Sequence, residues 1–252
     1  MKLLVVDDGS IGARAAIETL SRAGLPNRGK AMIASVAAAG TPAPDAGIRI
    51  RSQLPGWEFY SEELKGPPED EILKTSFWWN PDLLILGSNS EVNPSDRMIQ
   101  NPLDVVHHAR CSVRVVRPLM PAPKGPVRLI IGNDGSKEAQ DVIAAVARRS
   151  WPADTEAKII WVIEGPSKDL MSQLSSSDQT LVDQLCAAGL KAQGSILEGD
   201  PGKELAREAE RWNADAIFLG AGGASRIDRF LLGGVSTAVV TRARRPVEIV
   251  RS

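Results

Sequence analysis

With 252 residues, 43% hydrophobic and 24% charged, the chain has an ordinary globular composition that excludes disorder and collagen-like repetition and leaves room for two modest domains. Its formal net charge of -1 gives no electrostatic basis for nucleic acid or an anionic membrane as partner, which leaves small molecules and proteins. The two cysteines, Cys111 and Cys186, fall in different halves and form neither a metal-ligand spacing nor a disulfide framework.

The first apolar run, Leu3 to Val6, reads as a strand and is far too short for a signal-peptide core. No later stretch approaches the ~20 apolar residues of a membrane span, so a cytoplasmic location is expected. Asp8-Gly9-Ser10 follows, a turn whose serine is placed to cap the next helix. Between Ala38 and Trp57 the residues Gly40, Pro42, Pro44, Gly47, Pro55 and Gly56 break any helical period, and the second helix of this half is expected to be lost or reduced to a loop. Trp78-Trp79 ends a helix before a strand and reads as packing. Adjacent His107 and His108 point in different directions on a helix, with no carboxylate or cysteine at ligand spacing, so no metal site is expected. Prolines at 118, 121, 123 and 126 then mark a semi-rigid linker. The expected domains are 1–118 and 127–252, joined by 119–126.

In the second half the spacing predicts strands near Leu129–Ile131, Lys158–Ile163, Ala192–Leu197, Ala216–Leu219 and Val247–Val250. Helices are predicted over Lys137–Arg149, Gln179–Ala188, Lys203–Trp212 and Val235–Ala243. The two halves also repeat each other. At a constant offset of 133 residues, Leu64/Leu197, Gly66/Gly199, Pro68/Pro201, Glu71/Glu204, Trp79/Trp212, Asn80/Asn213, Asp82/Asp215, Leu86/Leu219 and Gly87/Gly220 are identical, and Asp8-Gly9-Ser10 matches Asp134-Gly135-Ser136. The fold class is therefore α/β, as two tandem doubly wound, Rossmann-like domains, each with a mostly parallel five-stranded sheet.

Ligands of such sheets sit beyond the carboxyl ends of the strands. There the second half carries Gly220-Ala221-Gly222-Gly223 and, after a loop, Gly233-Gly234-Val235-Ser236 leading into a helix. Glycines let backbone N–H groups approach phosphate, and a helix N-terminus adds free donors and a favourable dipole. From spacing alone these glycines either cradle a polyphosphate or make tight turns around a loop. Arg226 and Arg229 inside that loop either meet phosphate or stay solvated. No Gly-x-Ser-x-Gly elbow or phosphate-loop lysine motif is present, and no catalytic residue is assigned.

The spacing Gly220-x2-Gly223-x9-Gly233, with the Asp-Gly-Ser opening and the Glu198-Gly199-Asp200-Pro201 turn, resembles the nucleotide-binding universal stress proteins over nearly all of Arg128 to Arg251. The resemblance implies that the glycine turns wrap the phosphates of ATP, or of the related ADP or AMP, with Mg alongside. It places Asp134 near the nucleoside and the backbone of Val162 against adenine. It adds Asn133, Leu219, Gly220, Gly222, Gly223, Gly233, Gly234, Val235 and Ser236 to the lining. One position departs: Gly234 stands where the family usually has Ser or Thr, which removes a hydroxyl contact and leaves Ser236 as its substitute. In the first half Gly87 survives, but Ser90, Gln100 and Asn101 match Gly223, Gly233 and Gly234, so a nucleotide site is not expected there.

The implied function is that of a sensor or regulator binding an adenine nucleotide. A structural or interaction protein without nucleotide, and a slow ATPase, are the alternatives. In the family domains pair through their last strands, which would set Val113–Val116 beside Val247–Val250 as an intramolecular pseudo-dimer, and two such chains would form a homodimer.

Overall fold

The computed structural model describes residues 1–36, 46–88, 99, 101–118, 124–163, 165, 179–222 and 232–251. Residues 119–123 of the expected linker lie outside the described residues, as do Ser90, Gln100, Gly223, Arg226 and Arg229. The chain divides into two compact units, Met1–Met120 and Pro121–Ser252.

The first unit runs β1 (Lys2–Asp7), α1 (Ile11–Glu18), β2 (Gly29–Val36), α2 (Ala46–Gln53), β3 (Trp57–Leu64), α3 (Pro68–Trp79), β4 (Leu83–Gly87), α4 (Pro102–His108) and β5 (Ser112–Val116). Its strands are parallel in the order β3-β2-β1-β4-β5. The second unit runs β6 (Arg128–Gly132), α5 (Lys137–Ala147), β7 (Glu156–Ile163), α6 (179–187), β8 (Lys191–Glu198), α7 (Pro201–Arg211), β9 (Ala216–Gly220), α8 (Gly234–Arg242) and β10 (Val247–Val250). Its order is the same, β8-β7-β6-β9-β10, and again parallel. Strands β4 and β5 are buried at every residue, β4 as the continuous apolar run expected of a sheet covered on both faces and β5 with Ser112 and Arg114 buried among its valines. Helix α5 buries Ala139, Val142, Ile143 and Val146, one stripe at helical spacing, on a core that includes Leu129, Ile131 and Phe218. Among the described residues no helix is long and apolar enough to cross a membrane.

The second helix of the first unit is present, contrary to the expectation from its glycines and prolines. Helix α2 occupies the eight residues between breakers: Gly47 falls in its first turn, and Pro55 and Gly56 lie beyond its end. What holds it is burial four residues apart, Ile50 at 0% and Leu54 at 5% exposure, both in the core of that unit. Tertiary packing of about one fully buried aliphatic side chain per turn, ~1.5–3 kcal/mol each, outweighs the ~1 kcal/mol that a glycine costs.

The sequence repeat has a structural cause. In the first unit the Lys2 N–H donates to Asp82 Oδ2 at 2.6 Å, Lys2 Nζ donates to the Trp79 carbonyl at 2.9 Å, and the ammonium lies 4.9 Å from the Trp79 ring. In the second the Arg128 N–H donates to Asp215 Oδ2 at 2.8 Å, Arg128 Nη1 donates to the Trp212 carbonyl at 3.3 Å, and the guanidinium lies 5.7 Å from the Trp212 ring. Between tryptophan and aspartate, Asn80 and Asn213 turn the chain with φ of 50° and 52°, a conformation that asparagine tolerates better than most residues. These residues clamp the start of the first strand to the turn between the third helix and the fourth strand in both units.

Candidate functional site

In the second unit the carboxyl ends of β6, β7 and β9 open onto a cleft of about 520 Å³, counting solvent at its mouth. Strand β6 contributes Gly132, where a Cβ would collide with the Leu219 side chain, so glycine lets Leu219 close the floor. Ile160 and Val162 of β7 and Leu205 of α7 complete an apolar lining.

The turn after β6 is built by its own side chains. Asn133, 7% exposed, accepts from the Gly135 N–H at 2.9 Å, and Asp134 Oδ1 accepts from the Ser136 N–H at 3.0 Å. Ser136 then caps α5 by accepting from the Ala139 N–H at 3.2 Å. The turn reading of Asp-Gly-Ser therefore holds. Gly220 has a packing reason too, since a Cβ there would stand 3.1 Å from the Glu138 Cβ of α5.

Three helix N-termini face the cleft: α5 through Ser136, α7 through Pro201, and α8 through Val235 and Ser236. Those of α5 and α7 are capped by Ser136 and by Asp200, which accepts from the Lys203 N–H at 2.8 Å. Helix α8 begins after Gly233, which supplies no side-chain cap, so the first-turn N–H groups of Gly234, Val235 and Ser236 have neither an intrahelical nor a side-chain partner among the described residues. A Cβ at Gly234 would meet nothing within 4 Å. Packing among the described residues does not demand glycine there.

Of the residues expected at the site, Asn133, Asp134, Val162, Leu219, Gly220, Gly222, Val235 and Ser236 line the cleft. Gly233 and Gly234 stand at the start of α8 beside them, and the Gly233 N–H is taken by the Ala221 carbonyl at 2.8 Å. The Ser236 hydroxyl donates to the Gly220 carbonyl at 2.8 Å and is buried. Its proton ties α8 to β9 and is not a spare donor for phosphate, so the substitution expected for the missing hydroxyl at Gly234 is not made by this serine. Gly132, Ser136, Ala139, Ile160, Pro201 and Leu205 also line the cleft and were not singled out as lining from sequence. Ser136 and Pro201 were legible as a helix cap and a turn. Ile160, Ala139 and Leu205 carry no signal beyond apolar periodicity.

The model described as the universal stress protein family matches residues 128–251. A universal stress protein of Methanocaldococcus jannaschii is 26% identical over 138 residues, 49% of this chain and 81% of the relative. One of Synechocystis sp. is 30% identical over 73 residues, 29% of this chain and 47% of the relative. The crystal structure of a universal stress protein from Archaeoglobus fulgidus superposes with a TM-score of 0.69 at 21% identity, covering 99% of this chain and 96% of the other, a likeness of fold through both halves.

Proposed function

Through residues 128–251 the chain belongs to the universal stress protein family, and on that premise we propose that the cleft of the second unit binds an adenine nucleotide, ATP or the related ADP or AMP, in a cytoplasmic sensor or regulator. The observation that carries this reading is the start of α8. Among the described residues its first-turn N–H groups have no side-chain cap, and they stand beside an apolar cleft, which is the arrangement that suits a phosphate next to a base. The lining fits such a group: Gly234, Val235 and Ser236 would hold phosphate by backbone N–H, and Ile160, Val162 and Leu205 would exclude water from the base. Among the described residues no group of three His, Cys, Asp or Glu could hold a metal ion, so Mg would come bound to the phosphates. Among the described lining residues Asp134 is the carboxylate, and its Oδ1 accepts from the Ser136 N–H in the turn; regulation rather than turnover is the reading favoured.

The first test is to denature freshly purified protein, identify any released nucleotide by mass spectrometry, and titrate the emptied protein with ATP and magnesium in a calorimeter. One adenine nucleotide per chain, lost in Gly234→Asp, supports the proposal. An acidic residue at the first position of a helix favours the helix dipole while repelling phosphate, so loss of binding without loss of Tm isolates the site from the fold. No released nucleotide and no heat with ATP would sink the proposal. The interaction-protein reading would then stand, favoured by the committed Ser236 hydroxyl and the missing one at Gly234.

A further inference from the structure

The first unit exposes aromatic side chains where the second exposes charges. Phe77 and Trp78, at the C-terminal end of α3, are 65% and 55% exposed. The offset of 133 that pairs Trp79 with Trp212 puts Glu210 and Arg211 at the same two places of α7, with Arg211 bonded to Glu208. The fold therefore does not require rings at these positions, and large exposed apolar groups that the fold does not need mark interaction surfaces.

The rings are part of a row. Tyr60 of β3, 41% exposed, lies 5.1 Å from Trp79 between centroids, and Trp79 meets Trp78 edge-on at 6.1 Å. Strand β3 is the border strand of its sheet and pairs with β2. Because side chains alternate, Glu58 and Glu62 share the face of β3 that carries Tyr60, and both are exposed. Rings in this region already take cations: Arg110 lies 4.8 Å from the Phe77 centroid and Lys2 4.9 Å from that of Trp79. Trp78 carries none among the described residues.

We propose that this face of the first unit docks a basic polypeptide segment of a partner protein, whose arginine or lysine side chains lie on the Trp78 and Tyr60 rings and are answered by the carboxylate of Glu62 and, beside it, that of Glu58, which also accepts from the Tyr60 hydroxyl at 3.1 Å and pairs with Lys30 at 3.6 Å. Carboxylates beside the rings disfavour phosphate, which separates this partner from nucleic acid and from an anionic membrane. These residues belong to the first unit and the candidate cleft to the second.

The test uses the full chain and a short fluorescent peptide alternating arginine and leucine, read by anisotropy at low and physiological salt. Wild type should bind it saturably and salt-dependently, and should ignore the peptide with glutamate in place of arginine. The double substitution Phe77→Glu with Trp78→Arg imports the residues that the second unit tolerates, and should weaken binding by about tenfold or more. Glu62→Lys, on an exposed strand position, should weaken it independently and flatten the salt dependence. No saturable binding by wild type, or equal binding by the double variant, overturns the proposal. So does concentration-dependent self-association that the double variant abolishes, which would assign the surface to a second copy of the chain.

Discussion

The two units share their topology and their clamp of basic residue, tryptophan, asparagine and aspartate, yet differ at the end of the sheet where a ligand would sit. At the start of its last helix the second unit has Gly233-Gly234, with no side-chain cap among the described residues. The first has Asn101-Pro102: Asn101 Oδ1 accepts from the Leu103 N–H at 3.2 Å, the Asn101 N–H donates to Glu69 Oε1 at 3.2 Å, and Pro102 has no N–H to give. The cap N–H is taken in both units, by Glu69 in the first and by the Ala221 carbonyl in the second, and the difference lies in the next two positions, where Pro102 and the capped Leu103 N–H stand against Gly234 and Val235 with no side-chain cap among the described residues. By cap position Asn101 corresponds to Gly233, one residue away from the match that the constant offset of 133 makes. The comparison teaches that residues building the turn from helix to strand persisted through duplication, while those facing the cleft diverged.

The largest effect is expected where the units solve one packing problem with different chemistry. Strand pairing sets Ile130 opposite Lys158 and Leu4 opposite Met32, and the helix offset sets Glu208 against Thr75. Lys158 Nζ bonds Glu208 Oε1 at 2.9 Å, with side chains 10% and 8% exposed, and lies 4.3 Å from the Trp212 centroid. Burial pushes the Glu208 carboxyl up, but hydrogen bonds from Arg211 and Lys158 outweigh it and hold the group below the usual carboxylate range. Lys158→Met removes one of the two cations on Glu208 and leaves the two hydrogen bonds from Arg211, so it should cost about 2 kcal/mol, the loss of one charge-assisted hydrogen bond, and should lower Tm by roughly 4–8 °C. Lys158→Met with Glu208→Thr copies the first unit and should recover most of that loss. A depressed carboxylate contributes stability above its ordinary pKa and loses it as pH falls through its own lower value. The gap between Lys158→Met and wild type in thermal melts should therefore shrink below about pH 4. A gap that does not shrink would mean that the pair is not what the lysine supplies.

Next in size is the graft of the first unit's cap onto the second. Gly233→Asn with Gly234→Pro should satisfy or remove the N–H groups at the start of α8 and weaken ATP in calorimetry by about tenfold or more, with Tm held or raised. The reverse change, Gly234→Ser, restores a hydroxyl where a Cβ has open space, and should tighten ATP several-fold. If both variants bind as wild type does, the start of α8 is not the phosphate site.

Much of this was legible in the sequence. The α/β class and the positions of the strands in the second half followed from alternation and repetition, because strands covered on both faces are short apolar runs. Helix α2 was not legible, since its breakers are local and the burial of Ile50 and Leu54 that overrides them is not. Nor was the Lys158–Glu208 pair, whose partners stand 50 residues apart. The Ser236 hydroxyl misled for the same reason: sequence shows that a donor exists and not that the Gly220 carbonyl has taken it.

The smallest effect tests the turn after the first strand, which both units build alike. Asp7 accepts from the Gly9 N–H at 3.1 Å as Asn133 does from Gly135, so an amide makes the same turn without a charge. Asp7 is 6% exposed, and burial, with the neighbouring Asp8 adding to it, raises its carboxyl above the usual range against the Gly9 N–H and the charges of Arg14 and Arg49. A raised acid binds its proton more tightly folded than unfolded, so wild type loses stability as pH rises from the ordinary carboxylate value through the folded one. Asp7→Asn has no such loss. Its Tm should exceed that of wild type by a few degrees at neutral pH, and the difference should close as the pH is lowered to about 4 and below. A difference that is absent at neutral pH, or that widens on acidification, would show that the carboxylate is better placed than the amide, and that aspartate in the first unit and asparagine in the second are set by something other than the turn they share.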